Sequence, residues 1–144
     1  MDLYICSMPE RLILILFSLL LSTKVNHNKD LLIGKLFKGL VNEACKEMND
    51  GGCMIYTYRL LEFKEDSVVI SRQTLASCTP REREKNYNRL TDTSPETYHW
   101  TTVNDQILIE GFDEYGQFKL EGEALIGMDT RSQRVIAFKP VENK

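Results

Sequence analysis

The stretch that decides the fold is Cys53 to Cys78, CMIYTYRLLEFKEDSVVISRQTLASC. Two runs rich in β-branched and aromatic residues flank a charged Lys-Glu-Asp-Ser turn, which is typical of a β-hairpin. With the turn at the centre, Phe63 lies opposite Val68 and Leu61 lies opposite Ile70. These apolar side chains then share one face of the pair. The stretch therefore predicts an antiparallel hairpin with one buried face.

The same register places Cys53 opposite Cys78. Directly opposed strand residues have Cβ atoms about 4.5–5.5 Å apart, close to the separation that a disulfide requires. We therefore predict a Cys53–Cys78 disulfide. In an up-and-down barrel Cys45 would lie at the same end, so its pairing with either of the other two remains an alternative. The spacing of these cysteines is not a zinc pattern, and no metal site is expected.

The register also sets Arg59 opposite Arg72, on the face that the apolar residues assign to the interior. Like charges directly opposite each other destabilise a strand pair. Either a bulge between Arg59 and Leu61 turns both guanidinium groups outward, or the two arginines flank an anion site.

The chain after residue 96 continues as short runs separated by turns, so sequential neighbours are expected to pair antiparallel. Asn104-Asp105 between alternating runs is a hairpin signal. Before these runs, Thr79-Pro80-Arg81-Glu82 matches a capping box and predicts a short charged helix over residues 80–90. The predicted later strands are 97–103, 107–109, 118–120, 124–128 and 135–141.

The segment 31–48 supports two interpretations. Its apolar residues recur at helical spacing, which favours a helix packed on a curved antiparallel sheet, as in cystatin-like folds. The second interpretation is a β-strand. Glycines at 34 and 39 flank a short extended run, and an interior glycine costs a helix about 1 kcal/mol relative to alanine.

Several segments across residues 31–141 form a recurring pattern of glycines, aromatic residues and turns, namely 34–39, Tyr58, Leu60, Phe63, 66–68, Ile70, 125–127 and 135–138. This pattern resembles small bacterial lipocalin-like domains of the calycin type. Phe37 stands where tryptophan is commoner in that family, and the insertion at Thr79 departs from it. The resemblance implies a closed or nearly closed barrel of about eight antiparallel strands, with residues 31–41 as the first strand, and it implies no particular ligand.

The N-terminus differs in character from the rest of the chain. Residues 12–21 are apolar except for one serine, and Arg11 precedes them. Such a run is typical of a secretory signal peptide and is short for a membrane span. We expect residues 1–25 to be a signal peptide or a membrane-proximal segment, 26–30 a linker and 31–144 one domain. The protein would then be periplasmic, cell-envelope or extracellular, with membrane contact only if the apolar segment stays uncleaved.

Function is indicated only in outline. The net charge is −3, which disfavours a nucleic-acid binder. The sequence lacks phosphate-loop, nucleotide-binding and hydrolase motifs, so we expect neither an enzyme nor a cofactor. One hypothesis is an exported module that binds a small apolar ligand, and the alternative is an envelope structural or protein-interaction domain whose core is filled. The candidate lining residues are Phe37, Tyr58, Leu61, Phe63, Ile70, Trp100 and Ile109.

Overall fold

The computed structural model describes residues 27–88 and 94–142. Eight antiparallel strands close into an up-and-down barrel, in which each strand pairs with the next and the last pairs with the first. The predicted antiparallel barrel is therefore confirmed. The strands are β1 Leu36–Met48, β2 Gly51–Phe63, β3 Ser67–Thr79, β4 Glu96–Val103, β5 Gln106–Ile109, β6 Phe118–Glu121, β7 Ala124–Met128 and β8 Val135–Pro140.

Within residues 27–88 and 94–142, two helical segments accompany the strands. Helix α1, His27–Leu32, precedes β1, and residues 27–30 of the expected linker lie in it. A 3₁₀ turn, Arg81–Arg83, leads into helix α2, Glu84–Asn88, within the region predicted to be helical. The capping box does not form, because Pro80 precedes the first turn and no side chain caps it. The expected signal segment, residues 1–25, lies outside the described residues.

The structure resolves the ambiguity of residues 31–48 in favour of a strand that begins at Leu36. The helix over 31–48 is wrong, and the strand expected from residue 31 begins five residues late, because Leu31 and Leu32 belong to α1. A β-bulge between Leu40 and Asn42 shifts the phase of the side-chain alternation in the middle of β1, so the strand lacks a continuous period of two.

The predicted hairpins form in the predicted registers. In β2–β3, Phe63 pairs with Val68 and Leu61 with Ile70, and the ladder is continuous. In β4–β5 the turn residues Asn104 and Asp105 both have positive φ, at 49° and 64°. This is the type I′ geometry whose twist suits a two-residue hairpin.

The interior of the barrel is filled by side chains. One cluster of fourteen buried residues extends through it, and it includes Leu32, by which α1 packs against the barrel. Close packing also explains Gly39, since a Cβ atom there would lie 2.5 Å from the ring of Phe138.

Candidate functional site

The first three strands extend well beyond the barrel. Each has thirteen residues, whereas β5 to β8 have four to six. β1 pairs with β8 only at Phe37 and Lys38, and β3 pairs with β4 only from Ser67 to Ile70. Beyond those pairings, within the part of the chain that the structure describes, the three strands pair only with one another. We call residues 42–48, 51–58 and 72–79 the projecting sheet.

The tip of the projecting sheet is cross-linked and covered on its inner face, which is the face continuous with the barrel interior. Cys53 and Cys78 lie opposite each other and form a disulfide, with their Cα atoms 4.1 Å apart. The helical segment 81–88 packs at this tip. The Arg83 guanidinium binds Asp50 and keeps the pKa of that carboxyl below its ordinary value, mainly through the hydrogen bond between them.

The outer face of the projecting sheet carries half-buried apolar and aromatic side chains. Tyr56 and Tyr58 lie in the central strand, and each has one apolar and one polar cross-strand neighbour, Leu75 and Glu43 for Tyr56 and Leu40 and Gln73 for Tyr58. Lys38 borders this face, with its Nζ 4.1 Å from the Tyr58 ring centroid and 2.7 Å from Gln73 Oε1. Partial burial lowers the pKa of Lys38. This outer apolar face continues onto the adjoining parts of β1 and β2, and its side chains are Leu40, Met54, Tyr56, Tyr58, Leu60 and Leu75.

The predicted ligand-lining residues are mostly core residues. Phe63 stacks edge-to-face with Phe37 at 5.8 Å and with Trp100 at 5.0 Å between ring centroids. Trp100 donates its indole N–H to the backbone carbonyl of Lys64 at 3.0 Å. Tyr58 does not join this group, because it points to the outer face of the projecting sheet. Buried together are Phe37, Leu61, Phe63, Ile70 and Trp100, each at most 3% exposed, with Ile109 packed against them.

An ion pair lies at the mouth of the barrel, where the projecting sheet begins. Arg59 lies opposite Arg72 as predicted, but β2–β3 has no bulge here, so the expected bulge between Arg59 and Leu61 is wrong. Arg59 points inward and meets Glu114, with Nε 3.0 Å from Oε2 and its side chain only 11% exposed. Arg72 is exposed. Like-charge repulsion is thus relieved by a carboxylate from a distant loop.

A polar cleft of about 160 Å³ adjoins this pair. Burial is the main reason that the pKa of Tyr115 is raised there. Asp129 accepts hydrogen bonds from the backbone N–H groups of Arg131 and Ser132, which lower the pKa of its carboxyl. Because cations and carboxylates alternate around it, the cleft suits a small polar or zwitterionic group. Its walls are Val41, Arg72, Glu114, Tyr115, Asp129 and Arg131.

Two buried aromatic residues, Phe112 and Tyr115, were not predicted from the sequence to belong to the core. Phe112 and Tyr115 lie between β5 and β6, where no alternation marks them as buried, yet their rings pack at 5.8 Å. Tyr115 also contacts Phe118 and Phe138. The alternation around Phe118 and Phe138 was a usable signal for those two residues, whereas nothing local distinguished the loop aromatics.

In comparisons with known proteins, no family model, curated protein or solved structure matches the chain. The fold is an eight-stranded antiparallel up-and-down barrel, consistent with the lipocalin-like architecture that the sequence resembles. Within residues 27–88 and 94–142, no helix is long and apolar enough to cross a membrane, and no three potential ligand side chains gather to hold a metal ion.

Proposed function

We propose that this protein is an exported protein-binding module, in which a filled barrel supports the projecting sheet as the binding surface. The observation that carries the proposal is the outer apolar face, where two tyrosines, three leucines and a methionine lie only half-buried on one sheet. Tyrosine and methionine are enriched at protein interfaces, because they combine a large contact area with adaptable contacts.

Two features support export. The Cys53–Cys78 disulfide suits an oxidising compartment, since such bonds persist outside the cytosol. The N-terminal apolar run is typical of a secretory signal. A disulfide at the tip also limits the freedom of the projecting sheet before binding, which reduces the entropy lost when a partner orders it.

The filled interior favours a protein partner over an enclosed apolar ligand. A barrel of eight strands is just wide enough either to be filled by its own side chains or to hold one small ligand. Here the candidate lining residues contact one another, with Phe63 between Phe37 and Trp100. A small polar ligand at the mouth cleft is the second candidate function, favoured by the exposed Arg72 in its wall.

The test is site-specific photo-crosslinking of the exported protein in its own compartment. Benzoylphenylalanine replaces Tyr56 on the outer apolar face, and the matched control replaces Val103, an exposed residue of the β4–β5 hairpin. We expect a discrete protein adduct at position 56 that is absent at position 103. Equal labelling at both positions, or none at 56, would contradict the proposal, as would a stoichiometric small molecule in native mass spectrometry.

A further inference from the structure

The projecting sheet has two lateral edges, and only one is covered. Along β3, the side chain of Asn88 accepts a hydrogen bond from the backbone N–H of Ala76, and Glu84 accepts one from that of Cys78. Helix α2 thus shields this edge. Along β1, among the described residues, no strand pairs with the outer side of residues 42–48, and residues 42–47 are exposed. An uncovered strand edge is a template for pairing with another chain.

Hydrogen-bond alternation identifies the groups that this edge offers. The Lys35 carbonyl accepts from the N–H of Phe63, so odd-numbered residues face β2 before the bulge, and the Leu36 carbonyl faces away to accept from Val141. The bulge between Leu40 and Asn42 reverses the alternation. Beyond it, the backbone N–H and C=O groups of residues 43, 45 and 47 therefore point away from β2.

The side chains on this edge define a charge pattern. Glu43 pairs across the sheet with Tyr56, and Glu47 pairs with Gly52, so both carboxylates border the outer apolar face with Cys45 between them. Lys46 lies on the inner face, with its Nζ 5.9 Å from the Tyr87 ring centroid, and Arg134 donates to the backbone carbonyl of Val41, next to the barrel end of the edge. The open edge is therefore acidic on its outer side and adjoins an apolar surface.

We infer that this edge binds an extended segment of a partner protein, added antiparallel to β1, with lysine or arginine at two positions four residues apart. Those cations would face Glu43 and Glu47, and a small or apolar residue midway between them would face Cys45. Main-chain hydrogen bonds supply affinity in such strand addition, and alternate side chains supply specificity. The inference deepens the proposed function and rests on it.

A second copy of the chain is the less favourable occupant. A two-fold axis through the edge keeps outer faces together, so pairing centred on Cys45 places Glu43 of one copy opposite Glu47 of the other. Like charges directly opposite each other are destabilising. A partner strand with lysine or arginine at the facing positions would instead be attracted by both Glu43 and Glu47.

The probe is a fluorescent nine-residue threonine peptide with lysine at positions 3 and 7 and valine at position 5. The matched peptide has glutamate in place of both lysines. Fluorescence anisotropy at low salt measures binding to the full exported protein, and amide hydrogen exchange measures protection along β1. We expect the lysine peptide to bind about tenfold or more tightly than the glutamate peptide, and the double variant Glu43→Lys/Glu47→Lys to reverse this order.

Cys45→Pro tests the backbone contact. It removes an N–H that β2 does not use, whereas the matched variant Cys45→Ser keeps it. We expect at least a tenfold loss of peptide binding for the proline variant and little change for the serine variant, with circular dichroism confirming that both fold. Equal binding of both peptides, undiminished binding by Cys45→Pro, or a dimer that excludes the peptide would overturn the inference. If the Tyr56 crosslink persisted alongside such a result, the edge would be wrong and the interaction module would stand.

Discussion

Replacing Phe63 with alanine should cost this protein about 4–5 kcal/mol of stability, because Phe63 lies at the centre of a filled barrel. The side chain is fully buried, and it contacts Phe37 and Trp100 edge-to-face. Removing a core phenylalanine side chain costs about 3–5 kcal/mol, depending on how far the site collapses. Collapse is restricted here, since Trp100 is held by its bond to the Lys64 carbonyl. The two aromatic contacts add about 0.5–1.5 kcal/mol each, which places the cost in the upper part of the range.

Urea denaturation of the oxidised protein, followed by tryptophan fluorescence, measures this loss. Phe63→Leu is the milder partner variant and should retain most of the stability, while Val103→Ala at an exposed site should change it by less than about 0.5 kcal/mol. Benzene provides a second readout, since apolar cavities in proteins stay dry and bind it. It should raise the melting temperature of Phe63→Ala and leave that of the unmodified protein unchanged. A loss below about 1.5 kcal/mol, or equal stabilisation of both proteins by benzene, would refute the filled barrel.

Three further changes follow from the structure. Replacing Cys53 and Cys78 by serine should lower the free energy of unfolding by about 3.5 kcal/mol, the chain-entropy value for a separation of 25 residues, and a reductant should then have no further effect in a denaturant titration. Gly127→Ala should destabilise by about 1–3 kcal/mol, because its Cβ atom would lie 2.7 Å from a buried phenylalanine ring, whereas Gly116→Ala meets no atom within 4 Å and should be nearly neutral by thermal unfolding. Because the pKa of Asp129 is lowered in the folded state, its stabilisation is present above its ordinary pKa of 3.8 and is lost as the pH falls through the lower folded value. Asp129→Asn should therefore flatten the acid limb of a stability-against-pH profile, and an unchanged limb would count against this role.

The hairpin of β2 and β3 could be predicted from the sequence because three local signals agreed. The turn fixed the centre, the apolar residues fixed the face, and the cysteines fell opposite each other in that register. Agreement among independent local signals is what makes a segment predictable. β1 lacked such agreement, since the bulge after Leu40 interrupts its alternation in the middle of the strand.

The ion pair of Arg59 with Glu114 could not be predicted from local sequence patterns, for a different reason. Glu114 is 55 residues away in a loop, and its position depends on closure of the whole barrel. Sequence periodicity showed that a charge at position 59 conflicted with Arg72, and it correctly marked the place as unusual. The folded structure shows how the conflict is relieved, because the loop between β5 and β6 brings Glu114 next to Arg59.

The outer apolar face explains why the disulfide lies at the tip and not in the barrel. Burial holds the barrel together, because fourteen side chains form one cluster there. Among the described residues no second layer covers the outer side of the projecting sheet, so burial contributes less to its order than to that of the barrel, and a small sheet needs a packed apolar face for stability in water. The Cys53–Cys78 bond and the contacts of residues 81–88 lie at the tip of the projecting sheet, beyond the barrel and its buried cluster, where burial contributes least to order. The buried cluster that stabilises the fold and the proposed binding surface are therefore separated along the same three strands, and the barrel does not need the half-buried apolar side chains of the outer face in order to fold.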